Sequence, residues 1–480
     1  MAEQIKKKTY NGLIWSTIER FLTQGLQFIF TLIIARLLTP SDYGVIGMTT
    51  IFMLVAQTFI DSGFSTALIR KIDRTENDNT TMFYFNIVVG VVCYLVLFFT
   101  SSLIANFYNT PILKVLIRVI AISIILNSLC IVQTAQLSIN VDFKSLAKIS
   151  LVSALISGTL GIIFAVLDYG IWSLVIQTVS SSFLRMILLW VECRWRPRGK
   201  FSRQSFDSLF GFGSKQLIAG LINTIYNNIY IIIIGKVYDS RTLGLYTRAD
   251  SFSQYPTNII TGIVSRVTLP VLSLMQDERD RLRANTQKLI RCMALISFPL
   301  IIMVAAVASP FIDFFLTSRW TGCVIYLQIL CFAYIWTTIM SIDITILNVV
   351  GRSDLVLRTE ILKKSVGVLI LFVTIHYSVL YMCIGLVVYQ FVSFLINATY
   401  AGRFIEYGAI RQMINIMPIF FNCCIMGALM LFVSHMLTTS ILKLIVSCIV
   451  GLAYYLLSIY IFYRKDSKEL VEMTKLITMK

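Results

Sequence analysis

Ser16, Arg20, Thr23 or Gln24, Gln27 and Thr31 recur every three or four positions among Ile, Leu and Phe, so they fall on one face of a helix. Two hundred residues on, Gln216, Gly220, Asn223 and Asn227 repeat the pattern, pairing Ser16 with Gln216, Thr23 with Asn223 and Gln27 with Asn227. Carboxamides and hydroxyls both donate and accept hydrogen bonds, which suits either a hydroxyl-rich cargo or the gluing of one helix to another. Charges in the same apolar surroundings are Glu19, Arg20, Asp61, Arg118, Arg185, Arg266 and Asp343. Each would cost at least about 2.5–3.5 kcal/mol at the centre of a bilayer, so each needs a reason to be there. An Arg fork suits phosphate, and Asp or Glu suits a gate or an ion-coupling step. Arg20 and Asp61 sit at comparable depth on successive antiparallel segments. They read either as a gate salt bridge or as a snorkelling Arg and a helix-end Asp. Arg185 and Arg266 read first as snorkelling side chains.

Metal and covalent chemistry find no support. Histidine occurs only at His376 and His435, and the ten cysteines are scattered without a CxxC pair, so neither a metal nor a disulfide framework is expected. No Gly-rich phosphate loop or nucleophile–base pair stands out, and no cofactor is expected.

The elements that position these residues follow from composition. Of 480 residues, 57% are hydrophobic and 14% charged, and the mean hydropathy is +0.80. Apolar blocks of about 20 residues recur along the whole length, enough to cross about 30 Å of hydrocarbon at 1.5 Å per residue. Spans are expected near 12–35, 43–66, 81–105, 112–137, 148–167, 170–191, 214–235, 248–270, 289–308, 323–348, 357–376, 379–401, 415–436 and 440–463. The net charge of +17 does not point to nucleic acid, because Lys and Arg cluster at block ends. Assigned alternately to two sides, the connecting loops carry Lys and Arg in a ratio of about 4 to 1, a positive-inside bias that puts both termini in the cytoplasm.

A shift of 200 residues aligns Ile33-Ile34-Ala35-Arg36-Leu37 with Ile233-Ile234-Gly235-Lys236-Val237, and Gly44 with Gly244. Six spans separate the copies, an even number, so both cross in the same direction and a parallel repeat is expected. The expected fold is an all-α polytopic membrane protein of about fourteen helices, in two pseudo-symmetric bundles around a central cavity. Residues 1–200 and 201–402 form the six-helix bundles, and 403–480 add two helices and a cytoplasmic tail.

The stretch Leu38-Thr39-Pro40-Ser41-Asp42-Tyr43-Gly44, then Asp61-Ser62-Gly63-Phe64 and Ala67-Leu68-Ile69, resembles the opening of the Wzx-type polysaccharide flippases. That family belongs to the MOP superfamily, which also holds multidrug antiporters and the lipid II flippase. The likeness continues through Asp142-Phe143-Lys144-Ser145-Leu146-Ala147 and Gly170-Ile171-Trp172-Ser173-Leu174-Val175 to Leu243-Gly244-Leu245-Tyr246. It covers about the first 290 residues, the rest matching by hydropathy only. The resemblance implies a cationic cavity, alternating access and a bacterial inner-membrane location. It also implies an undecaprenyl-diphosphate-linked oligosaccharide as cargo, for lipopolysaccharide O-antigen, capsule, exopolysaccharide or teichuronic acid. Membrane lipids and a polysaccharide polymerase are the implied partners.

On that reading Arg20, Gln24, Gln27, Asn223, Asn227, Arg118 and Arg266 contact substrate, and Glu19, Asp61 and Asp343 serve gating or ion coupling. The rivals are a cation-coupled drug antiporter, against which the first-span Arg20 argues, and a glycan polymerase or ligase, for which no external loop is long enough. A channel has no selectivity-filter motif to support it.

Overall fold

The computed structural model describes residues 22–464, apart from 62–66, 70, 72 and 274, with backbone only at 212, 263–267, 270 and 271. Among the described residues there is no strand. Hydrocarbon cannot satisfy backbone N–H and C=O groups, and helices satisfy them internally.

The chain divides into two compact units, Met1–Gly244 and Leu245–Lys480. The first holds α1 (Leu22–Leu37), α2 (Pro40–Asp61), α3 (Glu76–Phe107), α4 (Leu113–Ile139), α5 (Phe143–Val166) and α6 (Trp172–Glu192). It also holds α7, broken by a 44° bend into α7a (Arg203–Asn227) and α7b (Ile229–Val237). From α8 (Ser240–Ser273) the chain enters the second unit, with α9 (Arg279–Ala306), α10 (Cys323–Val349), α11 (Ser353–Thr374), α12 (Val379–Ile405), α13 (Ala409–Met436) and α14 (Ser440–Phe462). A short helix, Ala308–Phe315, lies between α9 and α10.

Ten of these helices are long and apolar enough to cross a membrane, and the bent α7 makes up to eleven. The others explain themselves by composition. The described part of α1 is short. Nearly half of α8 is Ser, Thr, Gln, Asn and Arg. Arg358, Glu360, Lys363 and Lys364 occupy the early turns of α11, where Lys363 is buried and pairs with Glu360. Side chains such as Phe99 (73% exposed) and Leu103 (68%) on α3 supply an apolar outer surface that water would not tolerate at this extent.

Helix ends are set locally. Thr75 and Asp78 form a reciprocal capping box at the start of α3, and Asp142, Ser202 and Ser378 cap α5, α7a and α12. Within the first unit small residues let helices approach: a Cβ on Gly158 of α5 would lie 2.4 Å from the Phe30 ring of α1, and one on Gly90 of α3 2.6 Å from Ser128 Oγ of α4. In the second unit an aromatic core forms around Trp336 of α10, stacked on Phe394 of α12 at 5.1 Å and on Phe420 of α13 at 6.1 Å.

The closest backbone approach links the two sequence repeats. A Cβ on Gly44 would stand 1.7 Å from the Ser240 carbonyl oxygen, and one on Gly244 1.8 Å from that of Pro40. Both residue pairs obey the same 200-residue shift, so the contact is reciprocal and locally two-fold. Side chains cannot yield at such a contact because the obstacle is backbone. Gly44→Ala is expected to lower stability by about 3 kcal/mol, the upper end for overpacking. It should appear as a clear drop in melting temperature in detergent, against no drop for Gly25→Ala, whose Cβ meets nothing within 4 Å.

Candidate functional site

Helix α7a turns 100° per residue. That places Ile218, Ile222 and Ile225, at 60%, 56% and 47% exposure, along one side. Gln216, Asn223 and Asn227, also exposed, run along the opposite side. That carboxamide side borders the contact with α2, where Thr58 and Thr224 hydroxyls share a hydrogen bond of 3.0 Å. Gly220 lets Thr58 approach, since a Cβ there would lie 3.0 Å from the Thr58 methyl. At the bend, Asn228 Nδ2 donates to the Thr224 carbonyl at 2.8 Å, satisfying backbone near the break.

The same opposition occurs on α1. Leu22, Ile29 and Ile33 form an exposed apolar stripe. Gln24, Gln27 and Thr31 lie on the other side, with Gln27 exposed and the other two half-buried. A helix can face lipid on one side only if its polar side faces water or protein, so two helices at equivalent repeat positions each present carboxamides away from lipid.

Inside the first unit a polar chain joins α4 to α2. Asn127 Nδ2 of α4 donates to Gln57 Oε1 at 3.0 Å, and Gln57 Nε2 donates to Asp61 Oδ1 at 3.0 Å. The Arg185 guanidinium of α6 lies within electrostatic reach of the same carboxylate. Two polar interruptions that looked separate in sequence, Asp61 and Asn127, are therefore joined through Gln57.

Arg118 is tied to α3, its Nε donating to Ser101 Oγ at 3.0 Å and its guanidinium 4.2 Å above the Phe98 ring. Glu19 and Arg20 lie outside the described residues, as does Ser16, and the side chain of Arg266 is not described.

In the second unit Asp343 is fully buried and accepts from Gln412 Nε2 of α13 at 2.9 Å, the same amide reaching the Tyr407 carbonyl at 3.2 Å. Asn415 Nδ2 donates to the Tyr407 hydroxyl at 2.7 Å. This carboxyl is enclosed by helices of the second unit.

One buried carboxyl escaped the sequence reading. Asp250 of α8 accepts from the Tyr334 hydroxyl of α10 at 2.6 Å and from Gln254 Nε2 at 2.8 Å, and Gln254 also donates to Tyr334 at 3.1 Å. Its signal was present, because Asp250 and Gln254 stand four residues apart on one helical face. Placing the start of a span at 248 made Asp250 look like an end charge. No group of His, Cys, Asp or Glu among the described residues has the geometry to hold a metal.

A family model described as "Polysaccharide biosynthesis protein" matches residues 33–325. The chain is 29% identical over 354 residues to the teichuronic acid biosynthesis protein TuaB of Bacillus subtilis, covering 73% of each chain. It is 22% identical over 365 residues to the lipopolysaccharide biosynthesis protein WzxC of Escherichia coli, covering 75% of this chain and 73% of that one. Among solved structures, the lipid II flippase MurJ in an inward closed conformation superposes with a TM-score of 0.78 at 15% identity, over 94% of this chain and 99% of that one. An inward-facing MATE transporter of the MOP superfamily gives 0.63 at 13% identity, over 80% and 96%. The match over more than half the chain, carried on a fold shared with the MOP transporters, makes this chain a multi-pass membrane protein of the polysaccharide biosynthesis protein family.

Proposed function

We propose that the chain is a flippase carrying polyprenyl-diphosphate-linked oligosaccharide from the cytoplasmic to the outer leaflet of the bacterial inner membrane by alternating access. Fourteen crossings with both termini in the cytoplasm complete the reading. It is supported by relatives named for teichuronic acid and lipopolysaccharide biosynthesis and by a fold like that of a lipid II flippase. The observation that carries it is the exposed carboxamide stripe on α7a, set opposite an equally exposed isoleucine stripe.

The physical need is plain. Each sugar hydroxyl left unpaired in hydrocarbon costs roughly 4–8 kcal/mol, so a glycan crosses only where side chains replace water. Gln24, Gln27, Asn223 and Asn227 offer both donors and acceptors along one hydrated wall. The diphosphate requires a cation; Arg20 is the residue we assign to it, with Arg118 and Arg266 as secondary contacts. Of the gating carboxylates, Asp61 has an open side chain within reach of Arg185, whereas Asp343 is enclosed, so Asp61 is assigned the ion- or gate-linked step. The work is transport and not bond-making, and no residue is assigned a catalytic role.

Two outcomes follow. In vesicles loaded with a defined lipid-linked oligosaccharide, Gln27→Leu and Asn227→Leu should each slow flipping at least about tenfold, the loss of roughly 1.4 kcal/mol of stabilisation. Ile222→Leu on the opposite side should leave it unchanged. Equal rates in all three would remove the stripe from the mechanism. Asp61→Asn should abolish the dependence of flipping on an imposed ion gradient while leaving the protein folded; a gradient response that survives the change assigns coupling elsewhere.

A further inference from the structure

Between the end of α6 at Glu192 and the start of α7a at Arg203 the chain runs without helix, extended at both Cys193 and Ser202. Successive side chains of an extended chain point to opposite sides, and the residue types here alternate with that period. Cys193, Trp195, Pro197 and Gly199 are buried or half-buried, whereas Arg194, Arg196, Arg198 and Lys200 are exposed.

The inward row is clamped along the first turns of α3. Trp195 stands edge-on to Phe83 at 5.7 Å, and its indole N–H donates to Glu76 at 3.0 Å. The backbone N–H groups of Gly199, Lys200 and Ser202 donate to Thr80, Asn77 and Thr81 side chains at 3.1, 3.1 and 2.9 Å. Gly199 permits this approach, since a Cβ there would lie 2.7 Å from Asn77 Oδ1 and 3.1 Å from the Glu76 carbonyl oxygen. A strap tied at so many points holds its outward side chains in set places, unlike the charges of a loose loop.

Of the outward row, Arg196 is committed to the end of α6. It donates to the Cys193 and Trp195 carbonyls at 2.7 and 2.8 Å and lies 5.0 Å over the Trp190 ring. The side chains of Arg194, Arg198 and Lys200 form no hydrogen bond or ion pair with any described residue. Arg198 and Lys200, two positions apart on an extended chain, stand about 7 Å apart. Arg203 follows in the first turn of α7a, where the helix end adds partial positive charge. The acids beside the strap are engaged elsewhere: Glu76 by Trp195, Asp78 by Lys71 and Glu192 by Ser145.

The ridge lies where the apolar outer surface stops. Val191 of α6, 73% exposed, comes three residues before Arg194. On α3 the exposed apolar residues begin at Tyr84, about 10 Å along the helix from Asn77, which holds Lys200. Headgroups occupy about 5–8 Å on each side of the hydrocarbon, within reach of long basic side chains on this ridge. Phe201, 55% exposed between Lys200 and Arg203, has the character of an aromatic at that boundary.

We propose that the strap is a docking site for anionic phospholipid headgroups of the surrounding membrane. Lipid phosphates bridge Arg194, Arg198, Lys200 and Arg203, and Phe201 enters the edge of the acyl layer. A soluble acidic partner would match the charge but leave Val191 and Phe201 facing water. Because the strap leads directly into α7a, a bound lipid steadies the start of the helix that carries the carboxamide stripe. The inference is independent of what the protein carries.

The test uses the purified full-length protein in phosphatidylcholine nanodiscs carrying a trace of photoactivatable phosphatidylglycerol or, as reference, photoactivatable phosphatidylcholine. Peptides spanning 191–206 should take up at least about threefold more of the anionic lipid. Combined Arg194→Gln, Arg198→Gln and Lys200→Gln changes should erase that excess. Arg279→Gln, Arg319→Gln and Arg358→Gln, which remove the same charge from the second unit, should preserve it. The contrast between the two lipids on the unaltered chain stands whether or not the variants fold. Equal uptake of both lipids overturns the proposal, as does an excess that survives the strap changes, falls equally in the second-unit variant or is displaced by inorganic phosphate.

Discussion

Hydrocarbon provides no hydrogen-bond partner, and that single constraint shapes every level of this protein. It forces the backbone into helices and makes each polar side chain in a span a demand for a neighbour or for water. The demand is met in two different ways. Asp343 meets Gln412, and Asp250 meets Tyr334 and Gln254, each wholly within the second unit. Gln27, Asn223 and Asn227 are instead left exposed on sides facing away from the exposed isoleucines of their own helices. Enclosed polar groups hold a bundle together, while exposed carboxamides recur at equivalent positions of two repeats.

The repeat is physical as well as statistical. Gly44 meets Ser240 and Gly244 meets Pro40, so the same small residue does the same task in both copies, and the backbones come closer there than any side chain would allow. Elsewhere the copies diverge. After the sixth helix of the first bundle, Trp195 packs back on Phe83 of the third, whereas a left-handed turn at Glu406 sends the second bundle's chain straight into α13. Duplication supplied two equivalent frameworks, and the chain leaves the sixth helix differently in each.

Helical periodicity made the polar stripes visible from residue types alone, because positions three and four apart share a face whatever the helix packs against. The apolar blocks were equally plain, as was the 200-residue shift. Charge was harder to interpret. Arg185 could be snorkelling or paired, and Asp61, the carboxylate within its electrostatic reach, lies on a helix more than a hundred positions away in sequence. Asp250 was overlooked for a related reason, since a charge near a span end looks solvated until Tyr334 of a distant helix is seen donating to it.

The sequence by itself determined that the chain lives in a membrane and which side of α1 and α7a is polar. Those properties depend on local composition and on the 3.6-residue turn, neither of which needs a fold to be read. Tertiary structure alone decided which polar groups are enclosed and which are exposed, and that Asn127, Gln57 and Asp61 form one chain. Contacts of that kind join residues far apart along the chain, and only the packing of helices fixes their distances.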